Sequence, residues 1–348
     1  MKKKEILIIL YRTIFMLISL IIISKFTILG DYNRHMYSDM SNLLKIYKIK
    51  IFYNSTMITI FSAGIVKFFL KNEFITNLFF NLLSSYGIIF FLKETKFNKI
   101  VYFLLLFPSF TIWSSYISKE NIVVFSSGIL MGNLLRIYNS QRIKNKFLFL
   151  MSVYLMVIFK PQYLASIFIL VIYFFMRKKI KKGLRVILYL IYISISIITL
   201  YLLKDRIDNF LKTFYLHFYF NLETFRNKDI FLEKYGFYKN MIYGMFISIW
   251  GPNIKEAFRG ILQMFSFLES GILLGIIIWN VLKKKNSFEN IFLFFNCLFW
   301  LFLAQYPFGI FNAGAAVRYR TNLYIIFLAF FYVFILKESL FRKIRRKT

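Results

Sequence analysis

The chain alternates long apolar runs with short basic ones. The apolar runs occupy 6–28, 74–92, 100–117, 121–138, 147–159, 162–176, 184–203, 261–282, 288–304 and 323–336. A bilayer-spanning helix needs about 20 mainly apolar residues and satisfies all its backbone hydrogen bonds internally. The pattern therefore predicts an all-α, polytopic helical membrane protein with about 10 transmembrane helices, forming a single integral membrane domain over 1–348. Lys160-Pro161 interrupts the region 147–176, which reads as a hairpin of two short spans or as one long kinked helix.

Charge orients these spans. Basic runs stand at 2–4, 93–99, 142–146, 177–185, 283–285 and 342–347. Short loops rich in Lys and Arg stay in the cytoplasm. Placing all six runs there puts both termini in the cytoplasm of a multi-pass inner-membrane protein and makes 31–73 and 204–260 periplasmic loops. The stretch 51–70 then does not cross and is expected to lie in the outer interface, the alternative being that it spans and some other segment does not. The first run follows a lysine triplet and has no small-residue cleavage site, so it reads as an uncleaved first span. The four prolines, Pro108, Pro161, Pro252 and Pro307, all fall on the outer side of this topology. Irregular backbone at membrane depth is tolerated where it is buried in protein or lines a wet cavity, so a cavity opening outward is expected.

Composition narrows the picture further. Of 348 residues, 59% are hydrophobic, with 46 Phe and 24 Tyr, which is outside soluble usage. The net charge of +31 sits in the orienting runs, so no nucleic acid partner is predicted and the lipid bilayer is the expected one. Cys297 is the sole cysteine and His35 and His217 are the only histidines, far apart in sequence. Neither a disulfide within the chain nor a Cys- or His-rich metal site is expected, and no metal or cofactor is predicted. No phosphate-binding glycine loop stands in an inner segment, so ATP use is not expected.

Five clusters carry candidate chemistry. The run 107–115 contains Phe107-Pro108-Ser109 and Trp113-Ser114-Ser115 and leads to Lys119-Glu120 in an outer turn. Lys160-Pro161 marks the tip of the 147–176 region, where a lysine can meet an anionic headgroup or simply snorkel. The stretch 305–322 holds Gly309, Gly314, Arg318, Tyr319 and Arg320. Arginine suits bidentate phosphate contact, and in an extended segment the guanidinium groups of Arg318 and Arg320 would share a face. Glu269 lies well inside an apolar span, where an ionised group costs roughly 2.5 kcal/mol or more. Intramembrane charge is expected essentially only there. Beside it come Gly251-Pro252-Asn253, Lys255, Glu256 and Arg259. The first outer loop supplies Asp31 and Asp39, and the aromatics of 210–220 read as an interfacial belt.

In order along most of the chain, these pieces resemble the bacterial polysaccharide polymerases of the O-antigen and capsule type. They are the first span with Asp31 and Tyr37-x-Asp39, Phe107-Pro108-Ser109…Lys119-Glu120, Lys160-Pro161, Gly251-Pro252, Glu269 and Asn312-x-Gly314…Arg318-Tyr319-Arg320. More distantly they resemble GT-C-like multispanning glycosyltransferases. Lys160-Pro161 departs from the Arg-Pro expected of the family, which keeps the charge and loses the bidentate fork. The resemblance implies a periplasmic-face substrate, undecaprenyl-diphosphate-linked oligosaccharide, and transfer of the growing chain to a new lipid-linked repeat unit. It implies Arg318 and Arg320, with Lys160 or Lys119, on the diphosphate, where they stabilise the leaving charge. It implies Trp113 and Tyr319 on sugar, and a base among Glu269, Glu120, Asp31 and Asp39. A flippase and a chain-length regulator would be the pathway partners. Alternatives from the residues are a lipid-linked oligosaccharide flippase, a GT-C enzyme using a polyprenyl-phosphate donor, and an acyltransferase, which the scarcity of histidine supports weakly.

Overall fold

A computed structural model describes residues 3–26, 32, 35, 36, 38, 52–219, 226, 230–283 and 287–337. Among these residues the chain is helical throughout, without strands. It divides into two compact units, one from Met1–Leu164 and Thr321–Tyr332, the other from Ala165–Arg320 and Val333–Thr348.

The first unit holds α1 (Lys3–Phe26), α2 (Ser55–Leu70), α3 (Glu73–Glu94), α4 (Lys99–Leu104), α5 (Pro108–Ser114), α6 (Lys119–Tyr138) and α7 (Lys146–Phe159). After a short turn at Pro161–Tyr163, the second unit continues with α8 (Leu164–Lys179), α9 (Lys182–Leu202), α10 (Lys204–Tyr219), α11 (Gly236–Lys239) and α12 (Met241–Trp250). It is completed by α13 (Ile254–Ala257), α14 (Ile261–Lys283) and α15 (Phe288–Gly309). Helix α16 (Ala313–Phe331) begins in the second unit and continues into the first.

Seven helices among the described residues are long and apolar enough to cross a membrane: Lys3–Ile22, Glu73–Glu94, Lys119–Tyr138, Gly183–Leu202, Ile261–Lys283, Phe288–Gly309 and Ala313–Leu336. The pair Lys146–Phe159 and Pro161–Arg177 makes an eighth if counted as one broken span. Three of the ten expected spans thus differ. The runs 147–159 and 162–176 form that broken pair, and 100–117 is split into α4 and α5. The split has a local cause. Pro108 has no N–H for the carbonyl of Leu104, and its ring disfavours helix at Phe107. The hydroxyl of Tyr324 donates to the Leu104 carbonyl at 3.2 Å, and that of Tyr11 donates to the Leu106 carbonyl at 2.5 Å. The freed backbone is therefore satisfied within the unit, as it must be away from water.

Helices α3 and α6 run parallel at backbone contact. A Cβ on Gly128 would lie 2.4 Å from the Gly87 carbonyl oxygen, and one on Gly87 would lie 2.6 Å from that of Phe125. Small residues let membrane helices approach in this way. Their C-terminal ends are joined by Arg136–Glu94 at 2.9 Å, and Lys93–Glu5 at 3.2 Å brings the start of α1 to the same end. At the other end the Ile117 N–H donates to the Asn77 Oδ1 at 3.1 Å. The basic residues Lys3 and Lys4 and the segments 93–99 and 142–146 thus adjoin one end of this unit. In the second unit Arg185–Glu289, at 2.7 Å, likewise ties the 177–185 turn to the start of α15.

Two stretches read as outer connections contain helices among their described residues. The segment 204–260 contains α10 to α13. The apolar α12 packs on α15, where Gly244 leaves room for the Tyr306 ring and Gly309 for Ser248. Tyr215, read as part of an interfacial belt, is fully buried beside Phe231 and Phe311. The segment 305–322 is helical except at 310–312, because α15 runs through Pro307 and α16 starts at once. Asn312 caps the new helix by accepting from the Ala315 N–H at 2.6 Å, ahead of an alanine-rich first turn. In 31–73, the 16-residue α2 packs against α3 and α6 and is shorter than a span.

Candidate functional site

The second unit carries two arginine–carboxylate pairs at the end of α12. Arg226 grips Glu256 with both arms, Nε to Oε1 at 2.5 Å and NH2 to Oε2 at 2.8 Å. Its remaining nitrogen donates to the Gly309 carbonyl at 3.1 Å, and its backbone N–H to the Phe311 carbonyl at 2.7 Å. A helix end leaves its last carbonyls without intrahelical partners, and here Arg226 supplies a donor for α15. Glu256 also closes a capping box, accepting from the Asn253 N–H at 2.9 Å. Burial opposes its charge, but the Arg226 and Asn253 hydrogen bonds and the charges of Arg226 and Arg259 outweigh it. They hold the carboxyl below its usual range.

The second pair is Arg320 and Glu269, 3.8 Å apart. Arg320 donates to the Ser266 hydroxyl at 2.8 Å, to that of Ser270, and to the Ile249 carbonyl at 3.2 Å. It ties α16 to the end of α12 and to one face of α14. The expectation that Arg318 and Arg320 share a face assumed an extended segment. In the helix, residues two apart point to different sides. Arg320 is buried, and Arg318 is half-buried with its guanidinium 5.8 Å from the Tyr319 ring. Tyr319 also meets the Phe308 ring edge-on at 5.7 Å.

Between the Arg226–Glu256 pair and the start of α16 lies a cavity of about 400 Å³. Its lining includes Arg226, Lys255, Glu256, Arg259, Asn312 and Gly314. Tyr243, Asn253 and Gln263 complete its polar wall. Lys255 and Arg259 are exposed and have no carboxylate ion pair among the described residues. Three cations thus face one carboxylate, which is already engaged. Such an arrangement attracts an anion.

The other expected site residues fall elsewhere. Trp113 (in α5), Lys119, Glu120 and Lys160 belong to the first unit. Glu120 is buried in the first turn of α6 and Lys160 is largely buried at the end of α7. Asp31 and Asp39 lie outside the described residues. No group of His, Cys, Asp and Glu able to hold a metal occurs among the described residues.

Two functional-looking arginines escaped the sequence reading. Arg226 sat unremarked in a long polar stretch. Arg12 corrects the expectation that membrane charge is confined to Glu269. It is 1% exposed, inside the first span. It donates to Ser85 Oγ at 2.9 Å, Ser114 Oγ at 3.0 Å, Ser84 Oγ at 2.6 Å and the Ser114 carbonyl at 2.7 Å. The signal was an arginine within an apolar run, with the polar pairs Ser84-Ser85 and Ser114-Ser115 in later runs. No protein-family model, curated protein or solved structure matches the chain.

Proposed function

We propose that the chain is a glycosyltransferase that polymerises undecaprenyl-diphosphate-linked oligosaccharide repeat units on the periplasmic face of a bacterial inner membrane. The observation that carries this reading is the cavity whose cations exceed its carboxylates, with Lys255 and Arg259 left to face a ligand. In the reaction an acceptor hydroxyl attacks the anomeric carbon of the growing chain. The bond to the diphosphate oxygen breaks, and the hydroxyl proton passes to a base. Undecaprenyl diphosphate leaves as an anion, so cations at its oxygens lower the barrier. Arg318, on the first turns of the same helix as Gly314, remains a candidate for that role. Glu256 and Glu269 are each held by an arginine, which disfavours them as bases; Asp31, Asp39 and Glu120 are the other carboxylates that the resemblance offers.

The test is surface polysaccharide resolved on a gel, from a strain lacking the chain and complemented with wild type or with Lys255→Gln/Arg259→Gln, expression being matched. Loss of long chains with the single repeat unit retained is the expected result. Loss of the single unit as well would identify a flippase, and an unchanged ladder would remove this site from the reaction.

A further inference from the structure

The surroundings of Lys255 and Arg259 differ in kind from the cavity wall. Helix α13 and the turn after it are two-sided. Lys255, Glu256 and Arg259 line the cavity, whereas Ile254 and Phe258 are 61% and 80% exposed, and Ile261, at the start of α14, is 72% exposed. Ile242, on α12, is 80% exposed. Large apolar side chains this exposed suit contact with lipid or with a bound apolar chain. Charged and apolar groups meet here within one short segment. Its ends are held firmly, by Arg226 on Glu256 and by Arg320 between Ile249 and α14.

We propose that this segment is a binding site for an amphiphilic phosphate. Lys255 and Arg259 hold the phosphate or diphosphate head inside the cavity, and Ile254, Phe258 and Ile261 hold the first part of an apolar tail outside it. The inference rests on the polymerase reading for the choice of a lipid-borne rather than a free phosphate. Arg226 and Arg320 are engaged by carboxylates, carbonyls and hydroxyls and hold the segment in place. Gly314 adjoins the head position. A Cβ there would meet only the Asn312 side chain, at 3.4 Å, so packing does not demand glycine and the space stays open to a ligand.

The probes are farnesyl diphosphate, inorganic diphosphate and farnesol, added to the purified full chain in lipid nanodiscs, with thermal unfolding as the readout. Farnesyl diphosphate is expected to raise Tm at concentrations where inorganic diphosphate raises it less and farnesol does not. Lys255→Gln/Arg259→Gln is expected to weaken farnesyl diphosphate binding about tenfold or more, since hydrogen bonds to charged groups are the strong ones. Both positions are exposed, so the ligand-free Tm should stay close to wild type. Ile254→Ser/Phe258→Ser should remove the advantage of farnesyl over inorganic diphosphate and leave the latter's binding intact.

Farnesyl diphosphate binding that survives loss of both cations overturns the proposal. Equal binding of inorganic and farnesyl diphosphate overturns the lipid source. The binding assay needs no glycosyl transfer. Cation-dependent binding together with an unchanged polysaccharide ladder therefore upholds the site and overturns only the polymerase reading.

Discussion

The two units solve the same problem, a buried arginine, in different ways. In the first, Arg12 has no carboxylate partner among the described residues. Three serine hydroxyls and the Ser114 carbonyl take its donors. That carbonyl also accepts from Ser84 at 2.9 Å and Asn121 at 2.7 Å. In the second unit Arg226 and Arg320 each meet a carboxylate as well as helix-end carbonyls. The difference follows from what each arginine supports. Arg12 satisfies broken backbone in closely packed protein, where the acceptors are fixed. Arg320 ties three helices together, and Arg226 lines an open cavity with Glu256, which offsets its charge, so the excess positive charge there comes from Lys255 and Arg259.

The largest effect is expected at Arg12. Arg12→Met removes the four hydrogen bonds that Arg12 donates to the Ser84, Ser85 and Ser114 cluster, and the Asn121 amide remains to satisfy only part of it. The loss should exceed about 4 kcal/mol, the range reserved for broken buried networks. Size-exclusion profiles of the tagged protein should show little folded material. A well-folded variant would mean that the arginine is dispensable to the broken segment.

Next comes Arg226→Gln, which strands the buried Glu256 and should cost about 3–5 kcal/mol. The double variant Arg226→Gln/Glu256→Gln should recover part of that loss, and a double-mutant cycle in thermal unfolding measures the coupling. No coupling would remove the distinction between the units. The same pair predicts a pH effect. The Glu256 carboxyl is held below its ordinary value of 4.5. Its contribution is therefore present above that value and lost as pH falls through the lower, folded one. Wild type should lose stability over that acid range by a component that Glu256→Gln lacks.

Gly128→Val should destabilise by about 1–3 kcal/mol, because its side chain meets the Gly87 backbone. Gly271→Ala, at a position with open space around it, is the control and should change Tm little. The smallest effect is expected for Tyr324→Phe, which removes one hydrogen bond to the Leu104 carbonyl, worth about 1 kcal/mol. A larger loss would mean that the break at Pro108 is held mainly by this tyrosine.

Much of the architecture was legible along the chain, because hydropathy and helix length are local properties. Seven of the expected runs recur as single helices long enough to span. The errors are local too. Pro108 breaks the run 100–117, which reads as continuous, whereas α15 extends past the run 288–304 and through Pro307. Which outcome holds depends on the donors and packing supplied by distant helices. The candidate site was legible only in part. Arg318, Arg320 and Glu269 drew notice by their residue type, and Lys255, Glu256 and Arg259 were noted only as neighbours. That Arg320 is spent on Ser266, Ser270 and Ile249 could not be read from the residue itself.

The sequence by itself determined that this is a multi-pass helical membrane protein, because apolar runs of that length have few other stable fates. Tertiary structure alone decided which charges are neutralised and which remain available. Arg12 finds its partners 72 to 102 residues away, and Arg226 reaches Glu256 across 30 and Gly309 across 83. The strength of such contacts depends on distance, geometry and desolvation at the meeting point, and neighbouring residues in the chain do not encode them.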